Sequence, residues 1–477
     1  MKKIIAASFA VILAAAAPLS ASASEWQAMG PRAMGMGGAG VADVQGPLAS
    51  YWNPAALGRA TENSYGLAVP VGVHVALTGT VVEGAKNLKN LKDTCAAGGT
   101  CTQADISDAL NKLNDPNDGL RVNAAVGADF KIGKIGFFLN GFSDIGATPL
   151  VDTVNNNPAP ASPQFFGHNT SALIVKGANI TELGAGYGHE LPFAPGLFLG
   201  GNLKLMSAQV GFTQYSIINN NNSQNDITSN LKNSAKKSSN FGVDAAALWD
   251  VDHTFANAWW QPRVGIVGRN LNNPHFKQAD AAIAAGRTGQ YAVNPQVRLG
   301  GAISPLNWWH VVSDIDLTRN LTPIDNIASR QFGVGTEVNV FNRSWINIPL
   351  RFGIARNLEN AGAGTLLTGG AGLNFLHVIL DASAQVSPQS IQTQSSGKST
   401  KVPREVALGV QLSILFGGSD DRPSHAKPAV APVPAPQAAP AKADNSLTPA
   451  QADQVKQNAA KSQAELDQQA KPAPSGQ

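Results

Sequence analysis

Two carboxylates, Asp314 and Asp316, stand two residues apart in the sequence. In a β-strand this spacing places both side chains on one face, where an acid pair could exchange protons with a bound molecule. The alternative is a structural role in which they hydrogen-bond the neighbouring Arg298 or Arg319. The structural role is favoured, so we expect Asp314, Asp316 and Arg298 to be charges that line the interior of the fold.

No other residue pattern indicates catalysis. The histidines between residues 74 and 377 are scattered without the spacing of metal ligands, and the sequence contains no GxSxG or HExxH motif. We therefore predict that the protein is not an enzyme and expect neither a cofactor nor a metal.

A glycine-rich run leads into an aromatic-Asn-Pro-Ala core at residues 51–55. A phosphate-binding loop is rejected, because no strand precedes the run and the lysine of a P-loop is absent. Backbone packed tightly in a confined space explains so many glycines better. The residues singled out here are Gly35, Gly37, Gly38, Gly40, Asn53 and Pro54.

The chain has two cysteines, Cys95 and Cys101, separated by small residues. Their spacing does not fit a CxxC redox pair, and no histidine cluster accompanies them for zinc. In an exported protein we expect a disulfide that braces a local loop.

The N-terminus predicts export. Lys2 and Lys3 precede an apolar run from Ile4 to Ala17, and Ala21-Ser22-Ala23 offers a small-residue cleavage site. Residues 1–23 are therefore interpreted as a cleaved signal peptide. A membrane anchor is the alternative, but the run is too short and ends at Pro18.

Composition excludes several classes of protein. Charged residues make up 14% of the chain and the net charge is +3, which does not indicate a nucleic-acid-binding protein. Gly, Asn, Ser, Thr and Ala occupy the positions that charges fill in soluble proteins. That mixture suits strands with one face in lipid and one face in water.

Apolar residues recur with period two, as in Leu67–Leu77 and Val406–Phe416. A soluble antiparallel sandwich would show the same alternation. A barrel is favoured because the partner face is rich in small and amide residues, and because tryptophans cluster near strand ends. The predicted strands are 66–79, 120–131, 135–146, 171–190, 196–217, 239–252, 262–272, 290–303, 308–320, 331–341, 347–357, 367–376, 377–388 and 404–416.

Connections should alternate between short turns and long loops. Residues 131–135 form a short turn for the periplasmic side, whereas residues 83–120 and 219–237 are predicted extracellular loops. The first loop contains both cysteines and a helical pattern at Ile106, Leu110 and Leu113.

The C-terminal tail differs from the rest. It is rich in Pro and Ala from residue 422 to 443, which is typical of a disordered spacer, and Thr448-Pro449 then starts a polar helix that ends near Gln468. One hypothesis is that the tail reaches a periplasmic protein partner or the cell wall. A solvated appendage is an equal alternative.

The run GMGGAGVADVQGPLASYWNPAALG at residues 35–58 resembles the N-terminal signature of FadL-type outer-membrane transporters. The second half, with FGVDAAALWD, GIVGRNLNNPHF and SDIDLTRN, is similar to the TraF-type branch of this group, named for plasmid conjugal transfer. The resemblance covers roughly residues 28–416 and implies a plug inside a fourteen-stranded barrel. It differs at the C-terminus, because a long tail follows Phe416.

The prediction is therefore an all-β protein: a transmembrane antiparallel β-barrel of about 14 strands in the outer membrane of a Gram-negative cell. Its segments are a signal peptide (1–23), an N-terminal plug (24–60), the barrel (61–417) and a disordered periplasmic tail with a short helix (418–477). Outer-membrane lipid is the expected surroundings, and no nucleic-acid partner is expected.

Two functions are compatible with this fold. The first is passage or binding of small hydrophobic molecules, which the resemblance to FadL-type transporters implies, with a pocket built from apolar residues such as Trp52, Leu57 and Phe142. The alternative is an envelope component of a conjugal transfer apparatus, which the TraF-type resemblance implies. A soluble periplasmic sandwich is a third, weaker hypothesis.

Overall fold

The computed structural model describes residues 25–59, 65–81, 84, 87, 102–115, 117–155, 168–217, 224–255, 258–325, 327–343, 345–359, 364–395, 398–416 and 449–469. Within these ranges, fourteen antiparallel strands close into a barrel in chain order. The strands are β1 (Tyr65–Thr78), β2 (Gly119–Ile132), β3 (Ile135–Leu150), β4 (Ala172–Glu190), β5 (Leu197–Ser216), β6 (Lys236–Asp250), β7 (Arg263–Arg269), β8 (Gln296–Leu306), β9 (Trp309–Asp316), β10 (Gln331–Asn342), β11 (Ile346–Asn357), β12 (Thr365–Phe375), β13 (Val378–Val386) and β14 (Glu405–Phe416).

The barrel closes where β1 pairs with β14, with Tyr65 opposite Phe416 and Ala76 opposite Glu405. The predicted fourteen-stranded barrel is confirmed, and the soluble sandwich is excluded for this region. One predicted strand, 290–303, was wrong at its start, because Asn294 and Pro295 interrupt it. Gln290–Ala292 instead pairs with His275–Lys277 in a separate hairpin.

The outer face of the barrel is apolar. On β1 the valines at positions 69, 71, 73 and 75 are exposed, whereas Ala68 and Ala76 on either side of this run face inward and are buried. A soluble protein would bury such a surface, so this band is typical of strands in contact with lipid.

The two ends of the barrel differ. One end, the short-turn end, carries the connections at residues 133–134, 191–196, 307–308, 343–345 and 376–377 together with Tyr65 and Phe416. Every tryptophan that the sequence placed near a strand end lies here: Trp249, Trp259, Trp260, Trp308, Trp309 and Trp345. Trp259 is 83% exposed. This one-sided belt is typical of a membrane–water boundary.

The opposite end, the long-loop end, carries helices and small hairpins. The helices are Gln103–Asn111, Gln224–Ser234 and Asp280–Ala284, and the hairpins pair Asn320–Leu321 with Ala328–Ser329 and Ser390–Ser395 with Lys398–Pro403. The predicted extracellular loop 219–237 therefore contains a helix and the first residues of β6. Helix Val251–Thr254 belongs to the short-turn end.

Residues 25–59, called the luminal segment below, lie inside the barrel. Short helices Pro31–Gly35 and Ala49–Trp52 and 3-10 turns Gly46–Leu48 and Pro54–Arg59 follow one another without a long regular element. Almost all of these side chains are buried, since they pack against the inward faces of the strands.

Beyond the barrel, a single described helix spans Pro449–Gln469, close to the predicted polar helix. No helix within the described ranges is long and apolar enough to span a membrane. Cys95 and Cys101 lie outside the described residues.

Candidate functional site: the lumen and its segment

The turn at residues 36–37 presses its backbone directly against the barrel wall. A Cβ atom placed on Gly333 would lie 2.0 Å from the Gly37 carbonyl oxygen, and one on Gly335 would lie 2.4 Å from the Met36 Cα. Gly37 itself has φ +74° and faces the carbonyl oxygens of Val334 and Ile354. Glycine is therefore required on both sides of this contact.

Side chains of the wall complete the backbone hydrogen bonds of the luminal segment. The Thr368 hydroxyl accepts from the Gly37 amide at 3.0 Å and donates to the Gly35 carbonyl at 2.9 Å. Asp314 accepts from the amides of Gly40 and Val41 at 2.8 and 3.0 Å. Because these buried amides lack helical partners, the wall side chains are what stabilise the irregular path.

Asn53 and Pro54 fix the second half of the segment. Asn53 is fully buried, donates from Nδ2 to the Val41 carbonyl at 2.9 Å, and accepts at Oδ1 from the Ala55 amide at 3.0 Å. The Pro54 carbonyl lies against Gly200, where a Cβ atom would approach it to 2.4 Å. The Asn-Pro-Ala motif thus forms a turn that packs on wall glycines.

Six charges of alternating sign join the segment to four strands; five of them are buried, and Arg32 is partly exposed. The Arg263 and Arg32 guanidinium groups contact the Asp43 carboxylate at 2.6 and 2.5 Å, and Arg32 continues to Glu337 at 3.0 Å. Arg351 then bridges Glu337 at 2.6 Å and Asp381 at 2.5 Å. The six residues, called the charge chain below, are Arg263, Asp43, Arg32, Glu337, Arg351 and Asp381.

Electrostatics keep Asp43 of this chain ionised. Burial alone would raise the pKa of the Asp43 carboxyl, but the adjacent Arg263 and Arg32 outweigh it and hold that pKa well below its usual range. Each charge in the chain has an opposite neighbour, so none is buried uncompensated.

Aromatic rings and two arginines hold the start of the segment. The Arg298 guanidinium lies 4.6 Å from the Trp26 ring centroid, and that of Arg269 lies 4.4 Å from the Tyr51 ring centroid. Trp26 stacks on Trp52 at 6.1 Å. Stacking of this kind both stabilises the cations and fixes the ring orientations.

A cavity of about 80 Å³ lies on the long-loop side of the turn at residues 34–40 and is called the upper cavity. His74 is its central polar group: it contacts Glu405 at 2.7 Å through Nε2 and Asn123 at 3.2 Å through Nδ1. Glu25, Arg298 and Asp314 also line it.

A cavity of about 330 Å³ lies on the opposite, short-turn side of the same turn and is called the lower cavity. The luminal segment contributes an apolar face and Arg32 to it, and the wall contributes side-chain amides with Glu337, Arg351 and Asp381 of the charge chain. Met34 and Gly37 border the upper cavity, whereas Met36 and Gly40 border the lower one. One turn of the chain therefore separates the two spaces.

The structure brings most of the sequence-predicted site residues together. Arg298 pairs with Asp316 at 2.5 Å, whereas Asp314 binds the luminal segment, so the two carboxylates share a face but have different partners. Arg319 instead approaches Glu359. Among the described residues, no cluster of three or more His, Cys, Asp or Glu side chains is placed to hold a metal ion.

The predicted apolar pocket is only partly correct. Trp52 lines the lower cavity. Leu57 is instead packed against Gly136 and Gly186 of the wall, and Phe142 stacks on Tyr51 at 5.8 Å, so both border neither cavity. Leu57 is buried within the packed lumen, and Phe142 is partly buried there.

Sequence reasoning missed the charge chain and the lower cavity. A usable signal existed, because Glu337, Arg351 and Asp381 occupy positions in predicted strands that alternate with lipid-facing residues. A charge in a membrane strand must face the lumen. The sequence could not pair these charges with Arg32 and Asp43, which lie hundreds of residues earlier.

Comparison with known protein families gives a match to the model described as "F plasmid transfer operon, TraF, protein" over residues 50–316, which is more than half of the chain. The chain belongs to this TraF family. The TraF-type resemblance predicted from the sequence is confirmed. A search of curated protein sequences found no significant match.

Several solved structures resemble this TraF-family barrel distantly. The toluene transporter TodX of P. putida shares 12% identity, with 82% of this chain and 99% of that chain covered at a TM-score of 0.44. The Ralstonia pickettii toluene transporter TbuX shares 13%, with 81% and 98% covered at 0.42. A Pseudomonas aeruginosa FadL homologue shares 11%, with 84% and 99% covered at 0.41.

Proposed function

We propose that this TraF-family protein is an outer-membrane channel for small, uncharged, hydrophobic molecules, and that the luminal segment is its plug. One observation carries the proposal: two cavities face each other across a single turn of the luminal segment. A molecule that passed through the lumen would move from the upper to the lower cavity when that turn shifted.

The contacts of the turn support a displaceable plug. Residues 34–37 are held by a few hydrogen bonds, two of them to the Thr368 hydroxyl and one from Gln385 to the Met34 carbonyl at 2.8 Å. Each such neutral bond contributes about 1 kcal/mol net. A local shift that breaks them is therefore accessible without unfolding the barrel.

The charged side chains around the lower cavity favour an uncharged molecule over an ion. The charged groups that border the lower cavity, Arg32, Glu337, Arg351 and Asp381, are already paired with one another. An ion in that space would lose its hydration without gaining a free counter-charge, whereas an uncharged molecule would not.

In this proposal the short-turn end faces the periplasm and the long-loop end faces the medium, as in bacterial barrels generally. The signal peptide at residues 1–23 would deliver the chain to the envelope. No catalytic step is included.

Uptake measurements test the proposal. Proteoliposomes with the purified full chain should accumulate aromatic hydrocarbons or fatty acids faster than empty liposomes, and a deletion strain should take them up more slowly than its complemented parent. Equal uptake across a broad panel, in both systems, contradicts the proposal.

A second candidate is an envelope component of a conjugal transfer apparatus. The description of the matched family refers to a plasmid transfer operon. The helix Pro449–Gln469 supports it, because nearly all of its described side chains are exposed and available to a partner. Removing residues 418–477 should then lower plasmid transfer while leaving the barrel intact; unchanged transfer rejects this role.

A further inference from the structure

The lower cavity has two chemically different walls. The luminal segment supplies thioether and aromatic side chains. The barrel supplies amides, a hydroxyl and, together with Arg32 of the segment, charges that are paired within the charge chain. The apolar wall contains Met29, Met36, Leu48 and Trp52, and the polar wall contains Asn339, Asn347, Asn374, Gln411 and Ser413. Its volume of about 330 Å³ lies at the lower end of the range for small-ligand pockets, roughly 300–1,000 Å³.

Three amide oxygens on the polar wall lack partners. Asn347 Oδ1, Asn374 Oδ1 and Gln411 Oε1 are shielded from solvent and accept no hydrogen bond from the described residues. Gln411 is held in place because its Nε2 donates to Ser413 Oγ at 2.8 Å. Asn347 is only 5% exposed. A buried acceptor without a donor is unfavourable, so these oxygens favour an occupant that donates hydrogen bonds.

We infer that the lower cavity binds an uncharged single-ring aromatic molecule that carries a hydroxyl group. The hydroxyl donates its one hydrogen bond to the Asn347 amide oxygen, and the ring packs against Trp52 and the two methionines. Sulfur and aromatic side chains make favourable contacts with such a ring. The inference rests on the proposed channel for the route by which the molecule arrives.

The methionines allow a direct measurement. The chain has five methionines: Met1 lies in the predicted signal peptide, Met29 and Met36 border the lower cavity, and Met34 borders the upper cavity. Met206 is buried on β5 and borders neither cavity. Labelling the methionine methyl groups with ¹³C in the purified full chain therefore reports each cavity separately by NMR.

Titration with p-cresol and toluene separates the two ligand chemistries, since they differ by one hydroxyl. We expect p-cresol to shift the Met29 and Met36 methyl signals saturably, and to bind about tenfold or more tightly than toluene. Asn347→Leu should weaken p-cresol binding about tenfold and leave toluene binding unchanged. Asn179→Leu, the same change at an exposed position of β4, should alter neither.

Two results overturn the inference: equal affinities for p-cresol and toluene in the wild type, or no shift at Met29 and Met36 with either. Hydrocarbon uptake, measured separately, distinguishes the two proposals. If the protein takes up hydrocarbons but binds p-cresol and toluene with equal affinity, the hydroxyl preference is rejected and the channel is retained. If it binds p-cresol but takes up no hydrocarbon, the channel is rejected and the binding site is retained.

A strap crosses the mouth at the long-loop end. It comprises residues 320–325 and 327–329, between β9 and β10, and reaches the far wall formed by β2, β3 and β4. There Ile324 is 2% exposed and lies over Gly119, where a Cβ atom would come within 2.7 Å of it. Pro323 packs in the same way over Gly146.

Ion pairs hold the tip of the strap. Asp325 contacts Lys176 of β4, and it also contacts Arg287 of the neighbouring loop at 2.6 Å. Burial would raise the pKa of Asp325, but hydrogen bonds from Arg287 and Lys176 hold it below its usual value. Asp325 is therefore ionised at neutral pH.

The same strap contacts the luminal segment. Ser329 Oγ donates to Glu25 Oε1 at 2.9 Å, and Glu25 also pairs with Arg121 of β2. The strap thus joins the far wall to the first described residue of the plug.

We propose that the strap is a latch, and that release of Asp325 and Ile324 from the far wall loosens Glu25 and the luminal segment. The pairs of Asp325 are partly exposed, so salt weakens them. Opening of the mouth should therefore increase with ionic strength.

Permeation of a neutral solute into proteoliposomes tests the latch. Asp325→Asn should raise the rate about threefold, Ile324→Ser should raise it similarly, and the salt dependence of the wild type should vanish in Asp325→Asn. Asp280→Asn breaks the more exposed Lys236–Asp280 pair at the same end and should change nothing. Wild-type rates and salt dependence in Asp325→Asn overturn the proposal.

Discussion

The upper and lower cavities border the same turn of chain but differ in what surrounds them. The upper cavity is small, about 80 Å³, and His74 within it contacts both Glu405 and Asn123. Buried polar atoms without a partner among the described residues occur in the lining of both cavities. The lower cavity is larger, and three of its amide oxygens have no partner among the described residues. The comparison teaches that the two cavities differ mainly in size: the luminal segment leaves little free space on the long-loop side, whereas the short-turn side has room for a ligand.

The largest expected effect follows from removing Arg32, which bridges Asp43 of the luminal segment and Glu337 of the wall. Arg32→Met deletes the cation between Asp43 and Glu337. Loss of one partner of a buried pair costs about 3–5 kcal/mol, and we expect the lower figure because both carboxylates keep another arginine. Permeation of hydrophilic solutes should rise as the cavities merge.

Arg59→Met is the control for this prediction, since Arg59 pairs with Asp250 at 3.2 Å near the end of the segment, away from the turn. Heat-modifiable migration verifies that both variants retain the barrel. If hydrophilic solutes permeate equally slowly through Arg32→Met and Arg59→Met, the separation of the cavities does not depend on the charge chain.

Two neighbouring glycines give a smaller and sharper effect. Gly37 and Gly38 both have positive φ, but a Cβ on Gly37 would lie 2.4 Å from the Ile354 carbonyl, whereas one on Gly38 would meet nothing closer than 4.0 Å. Gly37→Ala should destabilise the segment by about 2–3 kcal/mol, and Gly38→Ala by about 1 kcal/mol from backbone strain alone.

The methyl signals of Met34 and Met36, one on each side of the turn, measure this difference. Both should move in Gly37→Ala and neither by much in Gly38→Ala. The same response to both substitutions would mean that the wall contact at Gly37 does not position the turn.

Mild acid should leave the ion pairs of Asp43 in place. Because the pKa of Asp43 is lowered in the folded state, its contribution to stability is fully present above the unfolded pKa of about 3.9. It is lost only as the pH falls through the lower folded value. The destabilisation that Asp43→Asn causes, measured by the temperature at which heat-modifiable migration changes, should therefore be equal at pH 7 and at about pH 4.5. A smaller destabilisation at the lower pH contradicts the pairing of Asp43.

The smallest effect is expected at the upper cavity. His74→Gln removes a partly exposed contact to Glu405 and should cost less than about 1 kcal/mol. Only the Met34 methyl signal should move. A shift of Met29 or Met36 as well would show that the two cavities are coupled more tightly than the structure indicates.

The strands could be predicted because the sequence of each strand shows the alternation by itself. Alternation of lipid-facing and lumen-facing residues is local, so β1 and β14 are visible without knowledge of the fold. The lumen is different, because its contacts join residues far apart in sequence. Gly37 and Thr368, or Glu25 and Ser329, meet only once the barrel closes.

Glycine illustrates the same limit within one motif. The sequence indicated tight packing for Gly35, Gly37, Gly38 and Gly40, but it treated them alike. In the structure Gly37 touches the wall and Gly38 faces open space. What distinguishes the two glycines is the wall against which Gly37 packs, and that wall is formed by β10, β11 and β12 much later in the sequence.

The charge chain has a consequence for any movement of the luminal segment. Arg32 and Asp43 travel with the luminal segment, and Arg263, Glu337, Arg351 and Asp381 stay on the wall. Each group sums to zero formal charge. The two bodies therefore part as neutral objects, Arg351 keeps both of its carboxylates, and a potential across the membrane exerts no net force on the charge-chain residues that the segment carries.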